Sequence, residues 1–300
     1  MKSVTILPVL VLLSLILFVL TFQKFAIGQS IYPLPPTSSE LSMVNYPEKV
    51  KESLKSVVGI TMDMYFKNNG LPMFLGHATK ATGTGYMFKP GLFISARHIL
   101  IAGFERMFER MRIQLPTFNK YGIPSSNTLD YLITGTTNIN EKAQDFKLNI
   151  IGAGAPDKFE DFIILQSDNF PPELKSIEYD DKFLNVDEIV YNAGYVHYFM
   201  PLNSYPANTP VLFDIIRTSF QGRIHSVIKD LPINKLGVSV LYRIEIKLEQ
   251  GFSGGPILNS EGKVVAITIL RTDNFLYAIP IKDINLFIEK LKKDGVIPPL

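Results

Sequence analysis

Toward the end of this 300-residue chain, Gly251-Phe252-Ser253-Gly254-Gly255-Pro256 sets one hydroxyl among three glycines and a proline. Glycine lacks a Cβ, so such a loop can present its N–H groups inward with no side chain in the way, as two donors converging on one oxygen require. Ser253 is the candidate nucleophile, and the amides of Gly251 and Ser253 are the candidate donors. Alone, the stretch also reads as a glycine-rich hairpin turn. Cysteine is absent, which removes disulfides, thiolate metal ligands and a thiol nucleophile, and leaves hydroxyl, imidazole and carboxylate chemistry.

The same residues match G-x-S-x-G, the nucleophile elbow of α/β-hydrolases, which needs a helix directly after the serine and a triad histidine further along the chain. Both requirements fail. Pro256 leads into Ile257-Leu258 and a turn at residues 259–262, and all four histidines (His77, His98, His197, His225) precede Ser253. A triad here must run histidine, acid, serine. His98 follows the apolar run Leu92-Phe93-Ile94-Ser95-Ala96, whereas His77 sits in a glycine-rich approach without one, and His197 and His225 fall in the later half. Asp161 opens the run Phe162-Ile163-Ile164-Leu165; Asp157 and Glu160 lie in the polar turn before it and Asp168 follows it. In such a set the carboxylate holds the imidazole tautomer, and the imidazole takes the serine proton.

These groups must be carried by strands. Short apolar runs separated by turns occur at residues 57–60, 85–88, 92–95, 162–165, 188–191, 211–216 and 264–267, with a further strand-like stretch at 241–248 before the serine loop. Helices are expected over Ile99 to Met111 and over about 282–293, where Ile284, Phe287, Ile288 and Leu291 share one face. Many short strands without alternating helices point to antiparallel barrels or sandwiches, not a parallel βαβ sheet.

At the N-terminus, Lys2 precedes an uncharged apolar run from Val4 to Phe22, and Ala26 and Gly28 fit a signal-peptidase site. The run is also about long enough to span a bilayer uncleaved. Residues 1–28 are therefore a signal peptide or a membrane anchor, and an extracytoplasmic location, secreted or anchored, is expected either way. Residues 29–45, rich in Pro and Ser, read as a linker to a folded domain at 46–300. With 46% hydrophobic and 19% charged residues the chain is not disordered. A net charge of +2 without a long basic run argues against nucleic acid as a partner.

Four blocks in order, Gly83-Thr84-Gly85-Tyr86-Met87-Phe88 with Leu92 to Leu100, Asp161 to Leu165, Gly251 to Pro256, and Tyr277-Ala278-Ile279-Pro280-Ile281, resemble the trypsin-like serine peptidases, in particular the HtrA/Deg branch. A weaker match, Asn192 to Tyr195 and Phe220 to Ser226, resembles the opening strands of that family's second barrel. The resemblance implies an all-β, chymotrypsin-like double antiparallel β-barrel with a C-terminal helix. The first barrel would span about 46–175 and the second about 185–280, with His98 and Asp161 from the first and Ser253 from the second. It implies a serine endopeptidase acting on proteins or peptides through an acyl-enzyme, with no metal or cofactor. The alternative is an inactive peptidase-like protein that holds peptides in the same cleft outside the membrane.

Two departures matter. The family's peptide-binding PDZ domain is not expected after the helix, and Phe252 stands where the family often has Asn or Asp. By the same resemblance, specificity lies with Thr268, Leu270 and Arg271 after the nucleophile and with Lys247 before it. No Asp sits there, which argues against a preference for Arg or Lys at the cleavage position. Lys247 or Arg271 would favour an acidic residue if aimed into the pocket, against the ordinary reading of each as a solvated cation.

Overall fold

Phe93 and Ile94 are neighbours in the chain and face different cores. Phe93 belongs to a cluster with Val58, Ile60, Met87 and Leu165, while Ile94 joins Tyr86, Phe162, Tyr195 and Ile267. Successive side chains of a strand point to opposite faces, so a run that is apolar throughout is buried on both. That is why continuous apolar stretches, not alternating ones, mark the strands at the centre of this molecule.

The structure, a computed structural model, describes residues 45–68, 71–73, 79–101, 103–104, 116–126, 129–139, 142–155, 160–199, 213–229, 239–246, 251–272 and 275–297. The expected export segment, the linker up to residue 44, His77, Asp157, Lys247 and the later part of the helix expected over Ile99 to Met111 lie outside them. Among the described residues no helix is long and apolar enough to cross a membrane.

The first half forms strands β1 (Val57–Asn68), β2 (Leu71–Met73), β3 (Thr79–Lys89), β4 (Leu92–Ser95), β5 (Thr117–Phe118), β6 (Pro124–Ser125), β7 (Leu129–Ile139), β8 (Lys142–Ala153) and β9 (Ile163–Gln166). Apart from the small β5–β6 ladder they make one sheet in the order β2-β1-β3-β4-β9-β8-β7. Antiparallel pairing of β1 with β7, Gly59 opposite Thr136, closes it into a six-stranded barrel, and β2 extends the far end of β1. The second half, β10 (Ile189–Phe199), β11 (Phe213–Ile228), β12 (Leu241–Glu245), β13 (Pro256–Leu258), β14 (Val264–Arg271) and β15 (Leu276–Pro280), closes as β10-β11-β12-β15-β14-β13. The second barrel is filled by Val190, Ile224, Tyr242, Ile244, Ile257 and Val265.

The C-terminal helix, Ile281–Lys293, buries Ile284, Ile288 and Leu291 in the core shared by both barrels. It ends where Gly295 takes φ 72°, letting Val296 N–H donate to Leu291 O and Gly295 N–H to Lys292 O. This pairing with a left-handed glycine satisfies carbonyls that the helix end would otherwise strand. A second helix, Glu48–Leu54, was not expected from the sequence. Only Val50 and Leu54 of it are buried, one turn apart, too sparse a stripe to stand out.

Candidate active site

Ser95 at the end of β4 lies opposite Ile163 at the start of β9. Antiparallel neighbours run about 4.8 Å apart, so the chain three residues after Ser95 and two before Ile163 emerges at the same barrel end. There His98 Nδ1 lies 2.6 Å from Asp161 Oδ2, and the His98 backbone N–H donates to Asp161 Oδ1 at 2.7 Å. The carboxylate thus holds both the ring and the main chain of His98. With Nδ1 donating, Nε2 is left as an acceptor. Burial pulls the His98 pKa down, but the charge of Asp161 and then its hydrogen bond together outweigh this and raise it above 6.5.

Ser253 arrives from the second barrel, on the turn between β12 and β13. Gly251 and Gly254 adopt φ 107° and 83°, conformations that favour glycine. Gly254 is pressed into the first barrel so tightly that a Cβ there would strike Thr84 O, Ala96 N and Ser95 Oγ. Ala96 is two residues before His98, so this contact carries Ser253 to the histidine segment. Thr84 N–H donates to Ser253 O at 2.8 Å and Thr84 Oγ1 to Gly251 O at 2.6 Å. Among the described residues, the N–H groups of Gly251 and Ser253 donate to no protein acceptor, and no hydrogen bond joins Ser253 Oγ to His98.

Phe252 is buried, with its ring 5.6 Å from that of Phe220 and directly over Gly194, where any Cβ would collide with it. The bulky residue in place of Asn or Asp is therefore accommodated by a glycine on β10. Thr268 is buried as well, its hydroxyl accepting from Asn192 Nδ2 at 2.8 Å. Its main chain bonds the serine loop twice, Gly254 N–H to Thr268 O and Thr268 N–H to Gly255 O. Leu270 is half-buried against the shared core and Arg271 is exposed.

The rivals sit elsewhere. His225 is exposed with its ring 4.8 Å from Phe275, His197 is a β10 residue opposite Ile215, Glu160 accepts from Ala155 N–H, and Asp168 is exposed. Thr84 and Asn192 were missed as site residues by sequence reasoning. For Thr84 a signal existed, a hydroxyl residue between two glycines in a strand. A cavity of about 500 Å³ lined by Arg97, Phe118, Glu160, Asp283 and Phe287 includes none of His98, Asp161 and Ser253. Among the described residues no group of three or more His, Asp or Glu converges to hold a metal ion.

The two closed six-stranded antiparallel barrels followed by a helix make this a chymotrypsin-like fold. The chain is similar to the crystal structure of Deg5, with a TM-score of 0.50 and 16% identity over 80% of this chain and 90% of that one. Two crystal structures of Rv3671c in inactive form, one a serine-to-alanine mutant from M. tuberculosis H37Rv, give TM-scores of 0.49 and 0.48 at 17% identity. They cover 89% and 86% of this chain and 100% and 98% of theirs. The likeness to Deg5 concerns the fold alone. No protein-family profile and no curated protein sequence matches the chain.

Proposed function

We propose that the chain is a serine endopeptidase, with Ser253 as nucleophile, His98 as general base and Asp161 as the carboxylate that orients it. The observation that carries this is the pair of hydrogen bonds that Asp161 accepts from His98, from the ring at 2.6 Å and from the main chain at 2.7 Å, beside a serine loop seated on the same barrel end. A carboxylate that spends both oxygens on one histidine serves orientation, the part the triad assigns to its acid.

In the reaction, Ser253 Oγ bonds to the substrate carbonyl carbon as its proton passes to His98 Nε2. The oxyanion is met by the N–H groups of Gly251 and Ser253, each donor being worth about 3 kcal/mol in such sites. The C–N bond then breaks, His98 returns the proton to the leaving amine, and water cleaves the acyl-enzyme by the same steps. Hydrogen bonds between nucleophile and base are often long before substrate binds, so their absence in the free protein is compatible with this chemistry.

Substrates are proteins or peptides. The apolar run at Val4 to Phe22 supports an extracytoplasmic site of action, with the domain either released or held at the membrane by that segment. Thr268, Leu270, Arg271 and Lys247 remain the proposed pocket, with Thr268 fixed by Asn192 beneath the serine loop.

The test is cleavage of a peptide mixture by the full chain, read by mass spectrometry, with Ser253→Ala as control and matched ester substrates alongside. Peptide cleavage lost in the variant is expected. Ester turnover without peptide cleavage would make it an esterase on this scaffold, and peptide binding without any turnover would make it a peptide-holding protein.

A further inference from the structure

We propose that Thr84, a first-barrel residue, is the positioning residue that holds the oxyanion loop of the second barrel in shape; this rests on the peptidase reading above. A threonine hydroxyl has one proton to give and lone pairs to accept with. Thr84 uses both: Oγ1 donates to Gly251 O at 2.6 Å and accepts from Tyr195 N–H at 2.8 Å. The residue is fully buried, so no water competes for either bond.

The main chain of Thr84 completes the arrangement. Its N–H donates to Ser253 O at 2.8 Å, and its own carbonyl accepts from Ser95 Oγ at 2.6 Å. One residue therefore grips the carbonyls of Gly251 and Ser253, the two residues whose N–H groups are the oxyanion donors. Peptide units are planar, so fixing a carbonyl fixes the rotation of the unit beside each donor. Between the grips the loop is closed by Gly255 N–H to Phe252 O at 2.8 Å, in the peptide unit that carries the Ser253 N–H, so rotation about Gly251 is what the Thr84 hydroxyl restrains. Glycine at φ 107° does not resist rotation by itself, so the Thr84 hydroxyl supplies the resistance.

The contact also joins the barrels. Ser95, which anchors Thr84, is three residues before His98, while Tyr195 and Gly251 belong to the second barrel. The donors for the oxyanion are thereby referenced to the strand end that carries the base. Valine has the same shape without the hydroxyl, and it removes the Thr84 hydroxyl as partner of both the Gly251 carbonyl and the buried Tyr195 N–H.

The test is the second-order rate of fluorophosphonate labelling in the full chain, measured at a temperature where circular dichroism shows each variant folded. Thr84→Val should label about 10² to 10³ times more slowly than the parent, the range for one lost oxyanion donor. Thr84→Ser should stay within about threefold of the parent, because the hydroxyl is what matters. The pH midpoint of labelling should be the same in all of them, since His98 and Asp161 are untouched. A slow Thr84→Val with a shifted midpoint, or a folded Thr84→Val that labels as fast as the parent, overturns the proposal. If Thr84→Val does not fold, Thr84→Ser decides alone: a hundredfold loss there overturns it and parent-like labelling upholds it. A parent that does not label at all counts instead against the peptidase reading, and takes this inference with it.

Discussion

Asp161 grips His98 twice, through Oδ2 to the ring Nδ1 at 2.6 Å and through Oδ1 to the main-chain N–H at 2.7 Å. The second bond ties the carboxylate to the turn that carries the histidine, so ring and backbone move together. Asp161→Asn keeps the shape but presents an amide that can donate, which favours the wrong tautomer. Turnover should fall by about 10⁴ in that variant while the fold survives. Steady-state kinetics with a peptide substrate checks this, and a loss under tenfold would remove Asp161 from the triad.

The raised His98 pKa fixes the sign of the pH dependence. In the proposed mechanism neutral imidazole is the base, so kcat/KM should rise with pH through a midpoint above 6.5. In Asp161→Asn that midpoint should fall, because burial then acts without the opposing charge. Stability runs the other way. A group whose pKa is raised on folding contributes stability below its unfolded value, and this is lost as pH rises through the folded value. A profile centred below 6.5 in the parent would contradict the assignment of the base.

Gly254 has no room for a side chain and a φ of 83° that disfavours one. Gly254→Ala should therefore lift the serine loop off the first barrel, with labelling of Ser253 lost by two orders of magnitude or more while the barrels stay folded. Native labelling in this variant would mean that seating against Thr84 and Ala96 is unimportant.

Phe252→Ala should leave a void over Gly194 and beside Phe220. Removing a buried phenylalanine side chain costs about 3 kcal/mol or more. Calorimetry should show a clear fall in Tm. An unchanged Tm would place the ring in a less confined site than its near-complete burial indicates.

The central strands were legible because they are buried on both faces, as Leu92 to Ser95 and Ile163 to Leu165 are. The β8 strand was not read from the sequence, although its pattern is regular. Phe146, Leu148 and Ile150 point in while Asp145, Lys147 and Asn149 point out, and a search for continuous apolar runs passes over such alternation. His98, Asp161 and Ser253 were singled out by residue type, chain order and the family resemblance, and the structure brings His98 and Asp161 into hydrogen-bond contact. What holds them was not: Thr84 acts across 167 residues through one hydroxyl, and Asn192 meets Thr268 across 76. Pairings at that separation depend on barrel closure, which no local pattern encodes.

The most direct measurement is mass-spectrometric mapping of a fluorophosphonate adduct on the full chain, with Ser253→Ala and His98→Ala in parallel. Reaction depends on an activated serine, and loss of either residue costs about 10⁶ in sites of this kind. One adduct is expected, on Ser253, absent from both variants. A folded parent that takes no label, or an adduct that persists in His98→Ala at the parent rate, would contradict it.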